Sequence, residues 1–140
     1  MRRCPLAWFA VLCLPSCIPS NVIAAKDREV VIDWEHVSWV PADVRAIAGL
    51  YASVTLTGDL AAGIRKVYYW FEPDGRFTGA ALMQREGEAG FEVLRGTWTL
   101  EGGRLRLGDD VEPAAAEMAP DLLRLSGDSG TVVLRREEAL

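Results

Sequence analysis

The sequence predicts a mainly β protein: an antiparallel up-and-down meander of six to eight strands closing into a small barrel, with one short N-terminal helix. Three observations lead there. From Tyr51 onward the apolar residues recur with a period of two. The breaks between these segments are hairpin turns: Pro73-Asp74-Gly75, Glu101-Gly102-Gly103-Arg104 and Gly127-Asp128-Ser129-Gly130. Only one stretch, Pro41 to Gly49, reads convincingly as a helix. Short strands joined by tight local turns lose their exposed edges most economically by curling into a barrel.

The first segment has a different character. Arg2 and Arg3 precede an apolar run from Leu6 to Leu14, then Pro15-Ser16-Cys17. A positive start, a short apolar run and a small residue before a cut make a secretory signal peptide. Nine helical residues rise about 14 Å against a hydrocarbon core of about 30 Å, so a transmembrane anchor is not expected. Leu14-Pro15-Ser16-Cys17 resembles the bacterial lipobox, which implies cleavage before Cys17 and a lipid anchor on its sulfur. Ile18, where that pattern uses aspartate for inner-membrane retention, implies the periplasmic side of the outer membrane. The competing cut falls after Ala24 or Ala25 and would leave a soluble periplasmic or secreted protein. The expected organisation is a signal peptide over 1–16, a tether and N-terminal extension over 17–40, and a β domain over 41–140.

Within the extension, Val30 to Trp34 has the composition of a first or stray strand. Pro41 suits a first helical turn, Asp43 its positive end and Gly49 its stop, while Val44, Ile47 and Ala48 form one apolar stripe. Ala114 to Met118 reads as a further helical turn. The expected strands are Leu50–Leu56, Arg65–Phe71, Arg76–Met83, Phe91–Leu100, Arg104–Leu107, Leu122–Leu125 and Thr131–Arg135.

Most of these strands are one-sided. Leu105 and Leu107 alternate with Arg104 and Arg106, Leu123 and Leu125 flank Arg124, and Gly96, Trp98 and Leu100 share a face. Arg65–Phe71 breaks the rule, with Val67, Tyr69 and Phe71 on one face and Tyr68 and Trp70 on the other. Such a strand is either covered on both sides or exposes aromatics for binding. Trp98, Phe71, Tyr69 and Phe77 are expected in the core. Tyr68 and Trp70 are either packed, with Trp34 and Trp39 as cover, or form a contact surface with Arg65 and Lys66 beside them.

Gly49-Leu50-Tyr51, Phe71-Glu72-Pro73-Asp74-Gly75-Arg76-Phe77 and the run from Gly96 to Leu107 together resemble the small lipocalin-like domains of bacterial exported proteins and lipoproteins. The resemblance spans about residues 49–136. It implies a closed or nearly closed barrel whose interior is either packed or holds a small apolar ligand. It implies no enzyme activity.

Composition excludes much chemistry. Half of the 140 residues are hydrophobic, too many for a disordered chain, and a net charge of −5 argues against a nucleic-acid partner. Loss of Arg2 and Arg3 with the signal shifts the charge to −7, with 13 basic residues against 20 acidic. Cys4 and Cys13 would leave with the signal, so Cys17 alone remains and no internal disulfide can form. His36 is the only histidine, which leaves metal sites and histidine-based catalysis without material. Gly127-Asp128-Ser129-Gly130 repeats a protease nucleophile motif, but without a base and a second barrel it is a turn. Asp109, Asp110, Glu112, Glu86 and Glu88 fall in glycine-flanked loops, with no reason to face each other across a cleft. No catalytic residue, cofactor or metal is expected. The expected function is a non-enzymatic, lipid-anchored envelope protein binding a small apolar ligand or a protein partner. A structural or assembly accessory without a ligand cavity is the alternative, and a carboxylate hydrolase of unrecognised type the minor one.

Overall fold

The alternating segments pair in a ring. A computed structural model describes residues 32–109 and 111–138, and the chain divides into two units between Trp34 and Glu35. The expected signal peptide, Cys17, the expected cleavage positions and Val30–Val31 lie outside the described residues. Trp34 N donates to Ile32 O at 3.0 Å and Trp34–His36 is a 3₁₀ turn, so the expected strand does not extend to Trp34.

The second unit contains β1 (Val40–Pro41), β2 (Gly49–Thr57), α1 (Leu60–Gly63), β3 (Ile64–Phe71), β4 (Arg76–Arg85), β5 (Glu88–Glu101), β6 (Arg104–Leu107), β7 (Ala114–Ala119), β8 (Leu122–Gly127) and β9 (Gly130–Glu137). The sheet order is β1-β7-β6-β5-β4-β3-β2-β9-β8, and an added β7–β8 pairing closes β2 to β9 into an eight-stranded antiparallel barrel. The expected fold class is the observed one. β1 is an extra strand that pairs with Glu117 and Met118, past the point where β6 leaves β7 at Ala114 and Ala115.

Three elements differ from expectation. Pro41 sits in β1, and Ala42 N reaches Ala116 O at 2.9 Å, so the expected 41–49 helix contracts to one turn. In that turn Asp43 O accepts from Ala46 N and Ile47 N, and Asp43 Oδ1 from Arg45 N. Ala114–Met118 is strand β7, not a helical turn, because its ladders to β6, β1 and β8 outweigh alanine's helix preference. The turn that follows β7 contains no glycine. Asp121 takes the positive φ of 59° there, a conformation an aspartate tolerates. α1 is a single unforeseen turn between β2 and β3.

The barrel axis is filled with rings. Tyr69 stacks on Phe71 at 5.6 Å between centroids, while Tyr51 and Trp98 meet Phe71 edge-on at 5.9 and 6.0 Å. Edge-on and stacked pairs are the favourable arrangements. Two glycines make room for this: a β-carbon on Gly79 would lie 3.0 Å from the Tyr69 ring, and one on Gly96 would lie 3.1 Å from Phe77. Among the described residues, Ile47, Leu105, Leu123 and Leu134 are the other large side chains that are fully buried. Burial raises the Tyr69 hydroxyl pKa above its ordinary value.

One end of the barrel is locked by Arg136. Its guanidinium donates to Ala48 O, Ala46 O and the Tyr51 hydroxyl, each at 2.6 Å, and lies 4.9 Å from the Tyr51 ring centroid. Tyr51 in turn donates to Ile47 O at 2.9 Å. Burial raises the Tyr51 pKa, and the Arg136 charge opposes that rise. Gly49 is required here. Its φ is 148°, and a β-carbon would collide with Arg136 Nη1.

Candidate functional site

The surface that stands out is the outer face of β3, β4 and β5. Residues opposite each other in an antiparallel ladder share a face, and register assigns three rows. Trp70 lies beside Thr78 and then Arg95. Tyr68 lies beside Ala80 and then Val93. Lys66 lies beside Leu82 and then Phe91. On the β2 side Leu50 adjoins Trp70 and Ala52 adjoins Tyr68. With about 4.8 Å between strands and about 7 Å between rows, the patch spans roughly 14 Å each way.

Exposure decides its character. Tyr68 is 40%, Trp70 52%, Phe91 69% and Val93 59% exposed. Both Tyr68 and Trp70 are therefore exposed on this face. The cover expected from Trp39 is absent, because Trp39 lies under the Arg124 guanidinium, 4.3 Å from its ring centroid, on β8. Arg124 is itself fixed by Glu117 Oε2, which accepts from Nε at 2.8 Å. The barrel order separates β8 from β3 by β9 and β2.

The four expected contact residues are only partly brought together. Lys66 shares the face of Tyr68 and Trp70, but its ammonium donates to Ser53 O at 2.5 Å. Arg65 falls at a register shift in β3 and donates to Gln84 Oε1 at 2.8 Å, toward the β4 end. It stands apart from the aromatic pair. Cys17 lies outside the described residues.

Phe91 and Val93 are members that sequence reasoning missed. They belong to an arm: β4 and β5 run on to a tight turn in which Glu86 and Gly87 both take positive φ. Leu94, on the opposite face of the arm, is also 59% exposed. The signal was available in Arg85-Glu86-Gly87-Glu88, whose centre suits a two-residue hairpin. What hid it is that a strand with apolar residues on both faces ordinarily reads as buried.

Other surfaces carry less. A groove of about 430 Å³ on β5 and β6 is lined by Thr99, Glu101, Arg104, Arg106 and Asp109, all solvent-exposed. A second, about 380 Å³, lies between Val40, Pro41, Met118 and Pro120. Among the described residues no three His, Cys, Asp or Glu side chains gather as a metal site, and no helix is long and apolar enough to cross a membrane. Comparison with protein-family models, curated proteins and solved structures finds no match to the chain.

Proposed function

We propose that this protein is a non-enzymatic exported barrel, lipid-anchored through Cys17 on the periplasmic side of the outer membrane, that docks another envelope protein on the outer face of β3–β5. The observation that carries the reading is the row-by-row clustering of exposed Trp70, Tyr68, Val93 and Phe91 on one face. Aromatic residues are enriched where proteins meet, because a ring removes much area from water while few torsions are frozen. The aromatic fill of the axis favours a partner on the outside over an apolar ligand held within. The lipobox resemblance supports the anchor.

The test uses the full chain expressed in a diderm bacterium. Chemical crosslinking is expected to capture one envelope protein, and the Tyr68→Ala, Trp70→Ala double variant to lose it while melting within a few degrees of the parent. Unfolding of the double variant would make these rings structural, and retention of the partner would place docking elsewhere. Mass spectrometry of the mature N-terminus tests the anchor separately: an unmodified start at Ala25 or Lys26 would remove it.

A further inference from the structure

The β4–β5 arm has an open edge. β5 runs from Glu88 to Glu101, but β6 pairs only with Trp98–Glu101, and Gly108 N to Thr97 O, at 2.8 Å, is the last bond on that side. Below Thr97, among the described residues, no backbone partner lies along that edge. An exposed edge bearing apolar side chains is a template for another strand, and monomers ordinarily blunt it with lysine, proline or a bulge. Glu88 to Gly96 contains no lysine and no proline, and its ladder to β4 shows no register shift.

We infer that this edge pairs with the same edge of a second copy, antiparallel about a two-fold axis at Val93. The direction of the backbone groups limits the choices. Thr97 O points toward β6, whereas Trp98 N donates to Gly75 O on the β4 side at 2.8 Å. Alternation along the unbroken ladder therefore turns the N–H and C=O of Arg95, Val93 and Phe91 to the open edge. A two-fold perpendicular to the sheet keeps each face continuous and passes through either a hydrogen-bonded pair, centred on one of these three residues, or a non-hydrogen-bonded pair, centred on Glu92 or Leu94. Glu92 would set carboxylate against carboxylate, and Leu94 would run Phe91 onto Thr97, whose carbonyl already accepts from Gly108 N.

Centring on Arg95 sets arginine against arginine. Centring on Phe91 drives Arg95 onto Gly87, which sits in the turn with φ 85°. Centring on Val93 uses the whole edge and opposes no like charges: Phe91 meets Arg95 of the second copy, Glu92 meets Leu94, and Gly90 meets Gly96. The Phe91–Arg95 pairs place a guanidinium beside a ring on the outer face, a favourable contact. The strand is thus complementary to itself in one register. In that register the Tyr68–Ala80–Val93 row continues into its copy across the axis, which doubles the exposed face.

This inference does not depend on the docking reading, and its test keeps them apart. The full chain carries the photoreactive residue p-benzoylphenylalanine in place of Phe91 and is irradiated in its native membrane. The expected product is an adduct of twice the chain mass whose peptides derive from residues 89–97 of both copies. Val93→Lys, which opposes two ammonium groups at the axis, and Val93→Pro, which removes only an edge-facing N–H, are each expected to cut the yield at least tenfold. Val93→Thr and the Tyr68→Ala, Trp70→Ala pair are expected to retain it. Absence of the adduct, crosslinking only to a different protein, or an adduct that survives Val93→Lys with the parent's melting temperature would overturn the proposal. If neither charged nor proline variant folds, the adduct from the otherwise unaltered chain decides alone.

Discussion

The two ends of β5 lie in the same strand and live in different surroundings. At Trp98 the strand has β4 on one side and β6 on the other, its indole Nε1 donates to Glu72 O at 3.1 Å, and its ring meets Phe71. At Phe91 to Leu94 it has one neighbour and exposes apolar groups on both faces. Composition does not separate the two halves, since both are rich in large apolar residues. Along this strand closure does: Trp98 is core where β6 completes the ladder, and Phe91 is surface where the ladder has one side only. Burial and exposure are thereby assigned to different lengths of one strand.

The largest effect should follow from breaking the closed half. Phe71 is fully buried and touches Tyr51, Tyr69 and Trp98, so Phe71→Ala removes the ring that joins them. A loss of about 3–5 kcal/mol is expected from burial and cavity terms, read by urea denaturation. A loss below about 1 kcal/mol would mean that the axis is not close-packed, and the contrast between the two halves would fail.

A smaller effect comes from pH. Burial raises the Tyr69 pKa, so the folded state holds its hydroxyl proton more tightly than the unfolded chain does. The stabilisation is complete below the ordinary tyrosine value of about 10 and is lost as pH rises through it toward the folded value. Melting temperature should therefore fall above about pH 10. Tyr69→Phe, which has no proton to lose, should shallow that fall, and an identical slope in parent and variant would show that Tyr69 does not couple to folding.

How much was legible follows the same division. The residues of the closed half stated their places in the sequence, because Leu105 and Leu107 alternate with Arg104 and Arg106 as one-sided burial requires. The glycine-centred hairpins were legible for the same local reason, whereas the Pro120-Asp121 turn was hidden by the lack of a glycine. β7 escaped because alanine carries no period, and only its neighbours make Ala114–Ala119 a strand. At the candidate site Tyr68 and Trp70 were legible as an anomaly. Their association with Phe91 and Val93 was not, since it depends on a register between strands. The Arg136 lock was equally out of reach: the contacts to Ala46, Ala48 and Tyr51 join residues from opposite ends of the domain.

The smallest effect belongs to the arm, and it is the most discriminating. Leu94 is as apolar as Leu105, yet the first is 59% exposed and the second 1%. Removing apolar area that is already in water costs the folded state little, so Leu94→Ser is expected to change unfolding free energy by no more than about 0.5 kcal/mol. Leu105→Ser loses the transfer energy of a buried leucine and buries a hydroxyl, about 3–5 kcal/mol by the same urea measurement. Should Leu94→Ser instead cost several kcal/mol in dilute monomeric protein, the arm would fold back on the barrel in solution. The edge would then be closed, and neither the outer face nor its two-fold continuation would be available to a partner.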